Sequence, residues 1–143
     1  MKNTAQKTSV LIDLNVLLDV LQKREQFYNA SYAVLQQVEK EILIGYIAAH
    51  SLTTLWYLLR KDGNIPVARG VLTDILNIFK VAAIDESVIK LASSLEYDDF
   101  EDAVQMAAAA QCGAQVLISR DTSGYIKQLV PVMKPADFIA AIH

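Results

Sequence analysis

Two periods of apolar residues alternate along this chain. Short continuous runs, Val10-Leu11-Ile12 and Val116-Leu117-Ile118 among them, have the length and branched character of buried strands. Between them, apolar residues recur every three or four positions, as on one face of a helix. A first strand over 9–13 hands over to a helix that Asn15 could start, with Val16, Leu17, Val20 and Leu21 on one face. A second helix spans 26–40, and the stretch 42–50 contains a strand, most of it 45–49. Ser51 or Thr53 then opens a helix through Leu55, Leu58 and Leu59, which Asp62-Gly63-Asn64 breaks. Pro66 suits the first turn of the next helix, which reaches about Asn77. A third strand follows over 79–84 and a helix over 86–95. Asp98 as N-cap, with Glu101 three residues later, fits a capping box for an alanine-rich helix that runs to Gln111 and stops at Gly113. A fourth strand covers 115–119, a short fifth 130–133, and Pro135 opens a last helix over Phe138, Ile139 and Ile142. Alternating strands and helices imply one α/β domain over 1–143, a three-layer α/β/α arrangement with a mainly parallel sheet.

Composition narrows the setting. Of 143 residues, 53% are apolar, enough for a full core. No run reaches the roughly 18 apolar residues of a membrane span. Met1 to Ser9 is polar and carries no apolar signal region, so a cytoplasmic protein is expected. Cys112 is the only cysteine, which excludes an intrachain disulfide and a cysteine-based zinc site. The net charge of −3 argues against broad, non-specific nucleic-acid binding. It leaves a nuclease open, because carboxylates at a site lower net charge while a basic rim still guides phosphates.

Acidic residues at three places along the chain carry the chemistry. Asp13 closes the first strand, Asp99 and Asp102 open the alanine-rich helix, and Asp121 follows the fourth strand. Carboxylates gathered about 4 Å apart repel by roughly 4 kcal/mol per pair at an effective dielectric near 20, so a fold that collects them calls for a cation. Hard divalent cations take oxygen ligands. In parallel sheets, sites form beyond the carboxyl ends of strands where strand order reverses. With order 3-2-1-4-5, Asp13 and Asp121 face one crevice. The residues alone leave the place of the Asp99–Asp102 helix start open, because that helix directly precedes strand 4.

These segments resemble the PIN-domain family of metal-dependent ribonucleases, which includes the VapC-like toxins of bacterial toxin–antitoxin pairs. Val10-Leu11-Ile12-Asp13-Leu14-Asn15-Val16-Leu17-Leu18-Asp19 is similar to the family's opening motif. Asp99-Phe100-Glu101-Asp102-Ala103 is similar to its central acidic helix, and Ile118-Ser119-Arg120-Asp121 to its late motif. The resemblance implies that Asp13, Asp102 and Asp121 hold Mg²⁺ or Mn²⁺, with Asp99 beside them. It also implies that Ser119 hydrogen-bonds a neighbouring carboxylate and Asn15 braces the cluster. RNA would be the substrate and an antitoxin protein the partner. A homodimer is expected, through apolar surfaces of the helix pair from Ser51 to Asn77. One departure stands out: the family's usual Glu on the helix after strand 2 is absent, and Thr54 occupies that slot.

Other residues have plainer readings. Asp19 is expected to be solvated or to brace its helix, and His50, near the crevice, to be structural. Trp56, Tyr57, Leu58 and Leu59 read as core. Lys23-Arg24, Arg60-Lys61 and Arg120 read as solvated charge that could contact RNA phosphates. Two rival functions follow. A weakened PIN domain would bind RNA or a protein without turnover, as the Thr54 substitution suggests. A phospho-acceptor receiver domain would use Lys134, but its acceptor position falls at Ala82-Ala83-Ile84, with Asp85 the nearest acid.

Overall fold

The computed structural model describes residues 6–142; the reading of the first five residues lies outside it. Five strands form one parallel sheet: β1 (Thr8–Ile12), β2 (Leu43–Ala48), β3 (Lys80–Ala82), β4 (Val116–Ile118) and β5 (Val132–Met133). Their spatial order is β3-β2-β1-β4-β5, so strand order reverses between β1 and β4, as expected. The connecting helices are α1 (Leu14–Leu21), α2 (Tyr28–Glu39), α3 (Ala49–Asp62), α4 (Ile65–Ile78), α5 (Glu86–Ser94), α6 (Phe100–Gln111) and α7 (Pro135–Ile142).

Side chains of a strand alternate between its two faces, and here each face has its own core. Leu11, Tyr46, Ala48 and Leu117 point to the layer of α5 and α6, whose Val88, Ala92, Met106 and Ala107 cover them. Val10, Ile12, Leu43, Ile47 and Ile118 point the other way, under Leu17, Val34, Leu55, Ile75 and Phe138. The alanine run of α6 lies flat on the sheet because methyl groups allow close approach. Gly113, at a φ of 81°, ends that helix in the left-handed conformation that glycine tolerates.

Three helix starts differ from the pattern-based expectation. α1 begins at Leu14 with Asp13 as N-cap, yet Asp13 makes no capping hydrogen bond. α3 starts at Ala49, before Ser51 or Thr53, and its N-cap Ala48 has no side chain to cap with. In α6 the cap is Asp99, not Asp98: its Oδ1 accepts from the backbone N–H groups of Glu101 at 2.9 Å and Asp102 at 3.4 Å. Two adjacent aspartates are equivalent to a sequence pattern, and the path of the chain into the helix chooses between them.

Candidate active site

The ladder between β1 and β4 runs one residue past the strands, with Asp13 N–H donating to the Ile118 carbonyl at 2.9 Å. That bond puts Asp13 beside Ser119 at the sheet's carboxyl edge. Ser119, fully buried, has its Oγ 2.9 Å from Asp13 Oδ2 and 3.0 Å from the Asp121 carbonyl. A serine has one proton to give, and the charged carboxylate is the stronger acceptor. Asn15 ties the same corner together: its Nδ2 donates to Ser119 Oγ at 3.4 Å and its Oδ1 accepts from Arg120 N–H at 3.3 Å. Asp13 thus forgoes capping α1 because its carboxylate is turned into this network.

Tyr125 completes the hold on Asp13. Its hydroxyl donates to the same Oδ2 at 3.0 Å from an almost fully buried ring. Burial, and then the charges of Asp13 and Asp102, push its pKa far up, so it stays a neutral donor. With two donors on Oδ2, the other oxygen of Asp13 remains for a ligand. The sequence pattern did not single out Tyr125; an aromatic directly after the polar run Thr122-Ser123-Gly124 was the available signal.

Asp102 shares the electrostatic field of this corner. Its pKa is pushed up to about 6, first by burial and then by the charges of Asp99, Asp13, Glu101 and Asp121. The first turn of α6 lies beside the loop after β4 that also holds Asp13, since Gly124 stands against Asp102 and Tyr125 bonds Asp13, the placement that the residues alone left open. At Gly124 an added Cβ would stand 2.7 Å from Asp102 Oδ2. Any larger residue there would displace the carboxylate. Asp99 spends an oxygen on capping α6. Asp121 is exposed, and its Oδ1 accepts from Ser123 N–H at 3.2 Å and Ser123 Oγ at 2.8 Å. Those bonds, helped by Arg120 and Lys134, hold its pKa down and keep it charged.

The raised pKa of Asp102 has a measurable consequence. Between its ordinary 3.8 and about 6 the folded protein holds a proton that the unfolded chain has lost. Stability from this group therefore falls as pH rises through that window and stays lower above it. Asp102→Asn should melt at a higher temperature than the wild type at pH 7.5, with the gap closing below about pH 4 in calorimetry. An equal gap at both pH values would show that Asp102 carries no such strain.

On the β2 side, His50 sits in the first turn of α3 with a buried, unpartnered Nδ1. Burial lowers its pKa, against the opposing pull of Glu101 and Asp13. Thr54, one turn on, bonds back to the His50 carbonyl at 3.3 Å. Asp19 is not solvated: it is fully buried, 3.4 Å from Arg24 Nη1 and 3.2 Å from Arg120 Nε, and it accepts from Ser31 Oγ at 2.9 Å. Arg24 and Arg120 are accordingly not free solvated charges. Tyr57 also departs from the core reading, being 63% exposed.

Among the described residues, no group of three or more His, Cys, Asp and Glu side chains is close enough to hold a metal ion together. The donor set fits a looser arrangement. Mg²⁺ keeps several waters and takes one or two carboxylates plus substrate phosphates, and Asp13 and Asp102 would be the carboxylates for such an ion. The upward shift of Asp102 marks the charge that such a cation would neutralise.

The pattern that defines the PIN domain matches residues 9–123, from the first strand to the Asp121 loop. The chain belongs to the PIN-domain family. Solved PIN-type structures repeat its fold. VapBC2 from Rickettsia felis, bound to a DNA fragment from its promoter, superposes with a TM-score of 0.70 at 12% identity, over 89% of this chain and 98% of that one. FitAcB from Neisseria gonorrhoeae gives 0.66 at 22% identity, over 88% and 97%. VapC20 of Mycobacterium tuberculosis, described as a sarcin–ricin loop cleaving toxin, gives 0.63 at 15% identity, over 80% and 91%. At such identities the likeness speaks for the fold. No curated protein matches the sequence. Among the described residues of this PIN domain, no helix is long and apolar enough to cross a membrane.

Proposed function

We propose that this PIN domain is a Mg²⁺- or Mn²⁺-dependent endoribonuclease that acts as the toxin of a toxin–antitoxin pair. The observation that carries the reading is the loop after β4, where Ser119 and Tyr125 hold the Asp13 carboxylate and Gly124, next to Tyr125, lies against that of Asp102. Asp13 and Asp102 would hold the ion, with Asp121 as the third carboxylate at the rim. When bound, the ion would activate water and neutralise charge on the scissile phosphate. Tyr125, Ser119 and Asn15 fix the Asp13 carboxylate beforehand, so it need not reorganise when substrate arrives.

The antitoxin reading rests on relatives solved as VapBC and FitAcB and on a feature of this chain. An apolar groove of about 220 Å³ between α1, α2 and α4, lined by Leu17, Leu21, Tyr32, Leu35, Ile75 and Ile78, suits an amphipathic partner helix. The α3–α4 pair leaves Tyr57, Val67 and Leu76 about half exposed or more, and these support a homodimer. Light scattering at high micromolar concentration should give twice the chain mass; a monomer would refute the pairing.

A second reading keeps the frame without turnover, as an RNA- or protein-binding module. Thr54 in place of the family's Glu favours it. The experiment that separates the two is cleavage of a panel of single-stranded RNAs by wild type and Thr54→Glu, with each ion. Slow cleavage by wild type, made faster by Thr54→Glu, is the expected result. If wild type is inert and only Thr54→Glu cleaves, the native chain is a binding module with an intact frame.

A further inference from the structure

Arg120 is fixed in place through its Nε edge and the face of its guanidinium. Its Nε lies 3.2 Å from Asp19 Oδ1, close enough for charge attraction, yet it is buried and makes no aligned hydrogen bond. Its guanidinium carbon sits 4.4 Å above the Phe27 ring. Attraction to a buried anion and stacking on a ring define the plane of the side chain. The attraction to Asp19 occupies the Nε edge, and neither contact uses the N–H fork of the two Nη groups, which remains to recognise phosphate oxygens.

This arginine forms a wall of a cleft of about 180 Å³ between α2 and the start of α7. Gln26, Phe27, Ser31, Lys134 and Ala136 also line it. Asp19 lines the cleft too and offsets one of its two cations, Arg120 and Lys134, but it is also paired with Arg24 from outside the cleft. The cleft adjoins the acidic centre through the chain itself, since Arg120 stands between Ser119, which bonds Asp13, and Asp121. Both Arg120 and Lys134 act on the Asp121 carboxylate. A cationic cleft beside an acidic centre is where a polyanion would be held while one of its links is cut.

We propose that this cleft is a phosphate subsite, in which Arg120 and Lys134 hold an RNA backbone phosphate adjoining the one that is cleaved. Arg120 supplies the oriented fork and Lys134 a mobile point charge. The site rests on the endoribonuclease reading and adds the part of the substrate that the acidic centre alone cannot grip.

The test is binding of a short fluorescent single-stranded RNA to the Asp13→Asn protein in Mg²⁺, by anisotropy across a salt series. Each phosphate neutralised on a single strand contributes about 0.7 to the slope of log affinity against log salt. Lys134→Ala should lower that slope by about 0.7 and weaken binding roughly fivefold at 0.1 M salt. Arg120→Lys keeps the charge beside Asp19 but loses the fork, so affinity should fall several-fold with the slope unchanged. Lys90→Ala, on α5, should bind like the parent. Lys134 is exposed, so its variant should melt with the parent and any loss of binding would not reflect unfolding. If both cleft variants bind RNA like the parent, the subsite is wrong while the nuclease reading stands. If the parent binds no RNA at all, the nuclease reading falls and takes the subsite with it.

Discussion

Asp13→Asn should leave the fold standing and remove nearly all divalent-ion-dependent cleavage of RNA. The amide keeps an oxygen that Ser119 and Tyr125 can still approach at 2.9 and 3.0 Å, so the corner stays assembled. It loses the negative charge that attracts the ion. Removing a residue that merely orients a ligand costs about 10–100-fold in affinity or activity, so removing a ligand's charge should cost at least about 100-fold. The same change withdraws one of the charges that raise the Asp102 pKa, which should therefore titrate lower in the variant. Single-turnover cleavage of labelled RNA measures the first effect, and carboxyl chemical shifts followed by pH measure the second. A variant retaining more than about a tenth of the wild-type rate would take Asp13 out of the catalytic centre.

The largest loss of stability is expected from Asp19→Asn. This carboxylate is fully buried under Arg24, Arg120 and Ser31. Removing one partner of a buried pair costs about 3–5 kcal/mol, since the remaining charge loses its compensation. Arg24 and Arg120 keep 35% and 29% of their side-chain exposure, so water takes up part of the loss and the lower end, about 3 kcal/mol, applies. For a chain of this size that lowers the melting temperature by about 9 °C. The Lys90–Glu86 pair makes the contrast. At 2.6 Å it is the shorter bridge, yet both side chains are more than 70% exposed, and Lys90→Ala should change stability by no more than about 0.5 kcal/mol. Burial outweighs distance. Equal melting temperatures for Asp19→Asn and wild type would mean that the Asp19 cluster does not hold α1 to the late loop.

Much of the frame is legible in the order of residues alone. Val10-Leu11-Ile12 and Val116-Leu117-Ile118 are branched, apolar and short, and nothing but a buried parallel strand accommodates them between amphipathic helices. Pro135 opens α7 as expected because a proline lacks the N–H that a first turn leaves unused. The acids at strand ends are visible too, since an aspartate that closes an apolar run has to emerge at the sheet's edge.

The sequence by itself thus determined the period of each element, the two-sided sheet and the edge at which Asp13 and Asp121 emerge. Periodicity is a local property, set by side-chain spacing of two or 3.6 residues along the backbone. Tertiary structure decided which atoms meet. Asp19 became buried rather than solvated because Arg120, 101 residues later, folds over it. Tyr125, 112 residues after Asp13, became its hydrogen-bond donor, and Asp99 rather than Asp98 became the cap that leaves Asp102 facing the centre. Contacts of that kind depend on distances across the sheet and on the approach of loops, which no local spacing encodes.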